Sequence, residues 1–252
     1  MNSNNRRTPR LFVDTKLMAG RVSLADHHAH YLRRVLRLKP GDSVVLFNGV
    51  GDERQTIIEN LARNHAALQI VGALEPLPES PLEVSLIQSL VKAEAMDLIM
   101  QKATELGVRT IVPVLTDFSI IKLNRERAAQ RTVHWQKITR SACEQSGRHC
   151  PPIINQPQPL TAALANIPEQ QAKFTLHPGS TKPLRTVSIS VEPPVRVAIL
   201  IGPEGGLSAK DLQQADQAGF ERITLGPRTL RTETAALAAC ALAQNRWGDL
   251  SA

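Results

Sequence analysis

The sequence predicts an α/β fold, a mainly parallel sheet covered by helices on both faces, preceded by a small β-rich unit. Three observations carry this reading. Beyond residue 80, apolar runs of strand length alternate with helix-length segments, as in a sheet built through crossover helices. Before residue 75 the apolar runs are short, close together and separated by turn residues. Between the two regions, Glu75-Pro76-Leu77-Pro78-Glu79-Ser80-Pro81 places three prolines within six residues. Neither a helix nor a central strand accommodates that spacing, so it reads as a linker. Residues 1–75 and 76–252 are therefore expected to form two domains.

In chain order, the first element is a short basic helix over Asp26–Leu38, stopped by the turn Pro40-Gly41-Asp42. Strands follow at Val44–Phe47, Gln55–Ile58 and Ala67–Val71, with Asn48-Gly49 and Gly51-Asp52 marking the turn between the first two. This small unit is expected to be a barrel. After the linker, Glu83–Ser89 reads as a strand and Lys92–Leu106 as a helix closed by Gly107. Met96, Ile99 or Met100, Ala103 and Leu106 recur at helical spacing and predict a buried stripe. Glu94, Asp97, Gln101 and Glu105 predict a solvated face. Thr110–Leu115 is strand-like, Arg125–Glu144 helical, and Lys173–His177 and Arg196–Ile201 strand-like again. Asp211–Gln217 reads as a helix, Arg222–Leu225 as a strand and Thr234–Arg246 as the terminal helix. In such a sheet a ligand is expected at the carboxyl ends of the strands.

Composition narrows the class. Hydrophobic residues make up 42 % of the 252, normal for a protein with a proper core. The longest apolar run, Val195–Ile201, contains Arg196 and falls far short of the roughly 20 residues needed to span a bilayer. Met1–Arg10 is polar and basic without the apolar stretch of a secretory signal, so a cytoplasmic protein with no membrane partner is expected. Three cysteines, Cys143, Cys150 and Cys240, are too few and too scattered for a disulfide framework, and no C-x-x-C pair suggests zinc. No metal is expected, including at His27, His28 and His30, which lie on a basic helix without acidic or cysteine partners. The formal charge of +7 favours a polyanionic partner, because phosphates neutralised by Lys or Arg release counterions. With only 3 % aromatic residues, an RNA would be held through phosphates and shape rather than by many stacked bases.

Two segments concentrate the chemistry. In the first, the apolar strand Val197–Ile201 runs into Gly202-Pro203-Glu204-Gly205-Gly206-Leu207, then a helix opening with Ser208-Ala209-Lys210-Asp211, which resembles a capping box. Three glycines within five residues let backbone groups approach a ligand closely. Neither G-x-x-x-x-G-K-[ST] nor G-x-G-x-x-G is present, so both phosphate-binding readings fall. In the second, Leu225-Gly226-Pro227-Arg228-Thr229-Leu230-Arg231 precedes a helix that Thr232 is expected to cap, with Glu233 in the first turn. The helix is nearly all Ala and Leu and so must pack closely. Two Gly-Pro loops, each after a strand, suggest neighbouring strand ends that form one pocket.

These two segments, Ile-Gly-Pro-Glu-Gly-Gly-Leu-Ser and Leu-Gly-Pro-Arg-Thr-Leu-Arg-Thr-Glu-Thr-Ala, resemble the SPOUT methyltransferases. More narrowly, they resemble the ribosomal RNA small subunit methyltransferase E family. Further markers lie along the chain: Lys92, Asp97, Lys102 and Glu105-Leu106-Gly107-Val108, then Ala142-Cys143-Glu144-Gln145-Ser146-Gly147-Arg148, Leu176-His177-Pro178, and Arg34-Val35-Leu36-Arg37 with Pro40-Gly41-Asp42. The family often has a histidine where Tyr31 stands. The resemblance implies a PUA-like β-barrel RNA-binding domain over 1–75 and a SPOUT domain over 76–252 with a C-terminal trefoil knot. It implies S-adenosylmethionine as methyl donor, a homodimer, and 16S rRNA within the assembled small subunit as substrate, methylated at N3 of uridine 1498. Carried over residue by residue, the donor pocket comprises Leu176, His177, Ile201, Gly202, Pro203, Glu204, Gly205, Gly206, Leu225, Gly226, Pro227, Arg228 and Leu230.

For the chemistry, Arg231 is the first candidate for stabilising charge that develops on the uracil. Glu233, at a helix N-terminus, should be a weak base better suited to holding Arg231 or the loop. Glu204 is expected to orient the pocket or take part in proton removal, and water is an equal alternative as base. Arg10, Arg34, Arg37, Lys92 and Arg148 are the expected RNA contacts.

Overall fold

The computed structural model describes residues 8–119, 124–169, 171–189 and 195–250. It divides into two compact units, one comprising the residues up to Pro78 together with Cys143–Cys150, the other Glu79–Ala142 and the residues from Pro151.

The first unit holds a five-stranded sheet of order β1-β3-β4-β5-β2, formed by β1 (Arg10–Phe12), β2 (Arg21–Leu24), β3 (Ser43–Phe47), β4 (Glu53–Leu61) and β5 (Ala66–Ala73). β1 runs parallel to β3, and the other pairings are antiparallel. The three strands read from the sequence are present and longer than expected. β1 and β2 escaped detection because three or four residues carry too little periodicity. On β2 the alternation is nonetheless clear, with Val22 and Leu24 buried and their neighbours exposed. Helix α1 (Asp26–His30) passes directly into a π-helical turn, Tyr31–Val35, and drives Ala29 and Leu32 into a core shared with Leu11, Val44, Leu46, Ile58 and Leu68.

A second, smaller cluster gathers Phe12, Phe47 and Cys143, with the two rings edge to face at 5.6 Å. Arg10 lies over the Phe47 ring at 4.7 Å and pairs with Glu53, which is 5 % exposed. Arg10, expected to anchor a phosphate, thus has its guanidinium engaged inside the unit by a carboxylate and a ring.

The second unit is built on a parallel sheet of order β12-β10-β11-β6-β7-β8, with β9 also paired to β7. Its strands are β6 (Leu82–Ser89), β7 (Thr110–Leu115), β8 (Ile153–Ile154), β9 (Gln158–Pro159), β10 (Ala172–Leu176), β11 (Val195–Ile201) and β12 (Glu221–Ile223). The central strands β6 and β11 are in register from Leu82↔Val195 to Gln88↔Ile201. Their apolar residues point to both faces, because helices cover both. On one face Val84, Leu86, Val197 and Ile199 meet Met96, Ile99, Met100 and Ala103 of α2 (Ala93–Glu105), Trp135 of α3 (Arg125–Ser146), and Ala236, Ala239, Cys240 and Ala243 of α6 (Thr232–Trp247). On the other, Ile87, Val112, Ala198 and Leu200 meet α4 (Leu160–Ala165) and α5 (Ala209–Gln217). The sequence missed β8, β9 and α4, which are two to six residues long. Nothing in the described residues is a helix long and apolar enough to cross a membrane.

The small side chains of α6 explain its apolar sequence. Ala236, Ala239, Cys240 and Ala243 recur every three or four residues, and helix α2 approaches across them. The expected acidic face of α2 is only partly free: Asp97 bonds His134 at 2.9 Å and Glu105 bonds Lys102 at 2.8 Å. Gly107 closes α2 with φ +76, the left-handed conformation that a helix-ending glycine supplies.

Candidate active site

The order β12-β10-β11-β6 places the carboxyl ends of four parallel strands side by side. Two turns leave from these ends. After β11, Gly202–Leu207 folds back tightly: a β-carbon on Gly202 would stand 3.0 Å from Leu207 Cγ and 3.2 Å from the Gly206 carbonyl carbon. Gly206 takes φ +78 and its N–H donates to the Pro203 carbonyl at 2.9 Å. Helix α5 then starts with a complete capping box. The Ser208 hydroxyl accepts from Asp211 N–H, and the Asp211 carboxylate accepts from Ser208 N–H, both at 3.0 Å. The Ser208 hydroxyl proton goes to Asp117, 2.7 Å away.

The second turn follows β12. Thr224 pairs with the preceding loop, its N–H donating to the Lys182 carbonyl at 2.9 Å and its carbonyl accepting from Leu184 N–H at 3.0 Å. Its hydroxyl donates to the Gly226 carbonyl at 2.9 Å. Residues 225–231 then cross the ends of β10 and β11, because β12 lies at the sheet edge and Thr232 is bonded near β6. The Thr232 hydroxyl donates to the Gly202 carbonyl at 2.7 Å and accepts from Gln88 Nε2 at 3.1 Å. The expectation that Thr232 caps α6 is thus corrected. Arg231 occupies the cap position without a side-chain cap bond, and Thr232 is the first helical residue, its hydroxyl committed elsewhere.

Between the two turns lies a cavity of about 1010 Å³. Leu176 and His177, Ile201 to Gly206, and Leu225, Gly226, Arg228 and Leu230 all line it, as do Arg231, Glu233 and Glu204. Of the expected pocket residues only Pro227 is elsewhere. It lines an adjoining cavity of about 790 Å³ with Leu184, Leu242 and Arg246, which shares Pro178, Thr224, Leu225 and Gly226 with the first. The apolar floor comes from strand ends and Leu207. The rim carries both charges, with Glu94, Glu204 and Glu233 against Lys92, Arg228 and Arg231. His177 Nδ1 accepts from Gly179 N–H at 3.1 Å, so its neutral ring carries the proton on Nε2.

Lys92, read from the sequence as an RNA contact, lines this cavity at the start of α2, together with Ala95 and Leu98. Reading along the chain missed this wall, since nothing in the α2 sequence says which of its ends meets the strand ends. Arg34 and Arg37 are exposed, Arg37 with φ +55. Arg148 is half-buried and its carbonyl accepts from Arg10 at 3.3 Å. Among the cysteines, Cys143 and Cys240 are buried and Cys150 is half-buried, all as free thiols. Burial pushes the Cys240 thiol up to about 12.

A five-stranded unit precedes a parallel sheet whose strand ends hold a pocket between two Gly-Pro turns, and comparison with known families gives the class, an RNA methyltransferase with a PUA domain. Residues 24–71 match the RNA methyltransferase PUA domain, and residues 78–244 the RNA methyltransferase domain. Ribosomal RNA small subunit methyltransferase E of Buchnera aphidicola (subspecies Schizaphis graminum) is 33 % identical over 98 % of this chain and 99 % of its own. The crystal structure of the Neisseria gonorrhoeae ribosomal RNA small subunit methyltransferase E, bound to S-adenosyl methionine, superimposes with a TM-score of 0.89 at 36 % identity. It covers 97 % of this chain and 100 % of that one. A Legionella pneumophila methyltransferase in complex with the cofactor SAM gives 0.92 at 35 % identity over the same shares. The chain belongs to the ribosomal RNA small subunit methyltransferase E family.

Proposed function

We propose that this protein transfers the methyl group of S-adenosylmethionine to N3 of uridine 1498 in 16S rRNA, acting as a homodimer on the assembled small subunit in the cytoplasm. The reading rests on one observation above all. Both Gly-Pro turns converge on a single cavity at the strand ends, and relatives of 35–36 % identity are solved with this donor bound. The residues fit such a ligand. The cavity has the size typical of small-molecule sites, and its glycine turn is close-packed at Gly202, where a β-carbon would press on Leu207 and Gly206. Leu176, Ile201, Leu225 and Leu230 provide an apolar bed. The return of residues 225–231 over β10 and β11 is read as the C-terminal pass of the trefoil knot. In this reading the first unit is a PUA-like domain and the second a SPOUT domain, with Cys143–Cys150 joining the first unit although the sequence division at 75/76 assigned them to the second.

When bound, the donor supplies an already electrophilic methyl carbon, so the chain need furnish only alignment, proton removal and charge stabilisation. Alignment in a rigid pocket is worth up to roughly 7–11 kcal/mol. Uracil N3 must lose its proton before it attacks, and the negative charge then spreads to O2 and O4. We assign Arg231 to these oxygens as the cationic donor. Glu233 lies in the first turn of α6, two residues after Arg231. Its assigned work is to hold Arg231 and the loop. Glu204, exposed on the glycine turn, is assigned to N3 proton removal, directly or through water. Arg34 and Arg37 are assigned to phosphates.

The deciding experiment maps N3-methyluridine in 16S rRNA from cells with and without the gene. Loss of the modification at position 1498 alone, restored by the wild-type chain, is expected. An unchanged modification pattern overturns the assignment.

A further inference from the structure

Gln88, the penultimate residue of the central strand β6, is 0 % exposed and does not line the donor cavity. Its amide nonetheless reaches Thr232, which lines that cavity. The Thr232 hydroxyl has one proton, donated to the Gly202 carbonyl at 2.7 Å, so whatever faces it from Gln88 must be a donor. That fixes the amide orientation: Nε2 donates one proton to Thr232 Oγ1 at 3.1 Å and the other to the Ser89 carbonyl at 2.9 Å. Gln88 Oε1 is left buried without a partner among the described residues, an arrangement that costs stability. Thr232 is itself only 5 % exposed.

We infer that Gln88 and Thr232 form a positioning clamp that fastens the glycine turn of the donor pocket to the start of helix α6, setting donor affinity and the placement of Arg231 together. Three segments distant in sequence meet at one hydroxyl: the end of β6, the first residue after β11 and the first residue of α6. The turn closes over Gly202, where an added β-carbon would stand 3.0–3.2 Å from Leu207 and the Gly206 carbonyl carbon. The Gly202 carbonyl accepts from the Thr232 hydroxyl, the bond that ties this turn to the start of α6. Arg231 immediately precedes Thr232 and caps α6, its carbonyl accepting from Ala235 N–H at 2.8 Å. A displacement of the hydroxyl would move the donor wall and the cationic residue at once. The inference rests on the methyltransferase reading of this cavity.

The test compares Thr232→Val, which keeps the volume and removes the hydroxyl, with Thr232→Ser, which keeps the hydroxyl and removes the methyl. Gln88→Met is made alongside as an independent break of the same clamp. Calorimetry on the full chain gives Kd for S-adenosylmethionine and for S-adenosylhomocysteine, melting gives stability, and turnover on small subunits gives kcat and KM. Thr232→Val and Gln88→Met are expected to weaken binding of both ligands about tenfold and to lower kcat, with Thr232→Ser near wild type in affinity even where it melts earlier. A merely structural role would make affinity follow melting temperature across the three variants, and that result overturns the clamp. Wild-type affinity in both Thr232→Val and Gln88→Met overturns it too. If the wild-type chain binds neither ligand, the methyltransferase reading falls with it, so the two failures are distinguishable.

Discussion

At the scale of single residues, burial and partners decide which charges are available for chemistry. Arg231 stands exposed on the cavity rim, while Arg10, equally basic, is held by Glu53 and the Phe47 ring. Arg231→Ala is expected to lower methyl transfer at least about a hundredfold, the loss typical of one transition-state donor, with donor binding by calorimetry still measurable. Wild-type turnover would remove Arg231 from the mechanism. Glu144 makes a pH prediction. Burial raises its carboxyl above the ordinary 4.5, opposed in part by the Phe12 N–H and by Arg10. In the window between 4.5 and the raised value the folded state holds a proton that the unfolded chain has released. Stability therefore falls as pH rises through that window. Glu144→Gln retains an acceptor for the Phe12 N–H, 3.0 Å away, and cannot ionise. Its melting temperature should gain on wild type as pH rises from about 4 to about 8. A constant difference would mean that Glu144 titrates normally.

At the scale of elements, α5 and α6 begin at the two pocket turns by different means, and the sequence indicated only one of them. Ser208-x-x-Asp211 is a local signal whose partners lie three residues apart, so it forms as the spacing predicts. Thr232 followed by Glu233 offers an equally good local start, yet its hydroxyl bonds residues 30 and 144 positions away, contacts no local pattern contains. The two helices should respond differently to losing their hydroxyl. Ser208→Ala removes a cap and is expected to cost about 1 kcal/mol of stability in denaturant unfolding, while leaving the Gly202 carbonyl bonded and donor affinity within about twofold of wild type. A Ser208→Ala variant as weak in donor binding as Thr232→Val would place the α5 start among the pocket's determinants. The strands follow the same logic. Those of five or more residues with apolar faces are visible in the sequence, whereas β8 and β9, two residues each, exist only because β7 supplies a paired edge.

At the scale of the whole molecule, a formal charge of +7 makes RNA affinity a salt-dependent quantity. If Arg34 and Arg37 each neutralise a phosphate, replacing both with Ala should reduce the slope of log K against log salt by about 2 and weaken binding to any RNA of similar shape. An unchanged slope would move the phosphate contacts to other residues. Because Arg10 is internally paired, its loss is expected to appear as instability rather than as a change in slope.

The sequence by itself determined the alternation of strand and helix beyond the proline-rich linker, the two Gly-Pro turns that line one cavity, and, through its motifs, the family. These are local properties: periodicity, turn residues and short patterns read along the chain. Only the tertiary structure decided that α2 completes the pocket with Lys92, that Pro227 turns into a different cavity, that Arg10 is already occupied, and that Gln88 reaches the glycine turn through Thr232. Each of these depends on which strands lie side by side. The order β12-β10-β11-β6 brings together residues up to 144 positions apart, and that order follows from the packing of both sheet faces at once rather than from any single segment.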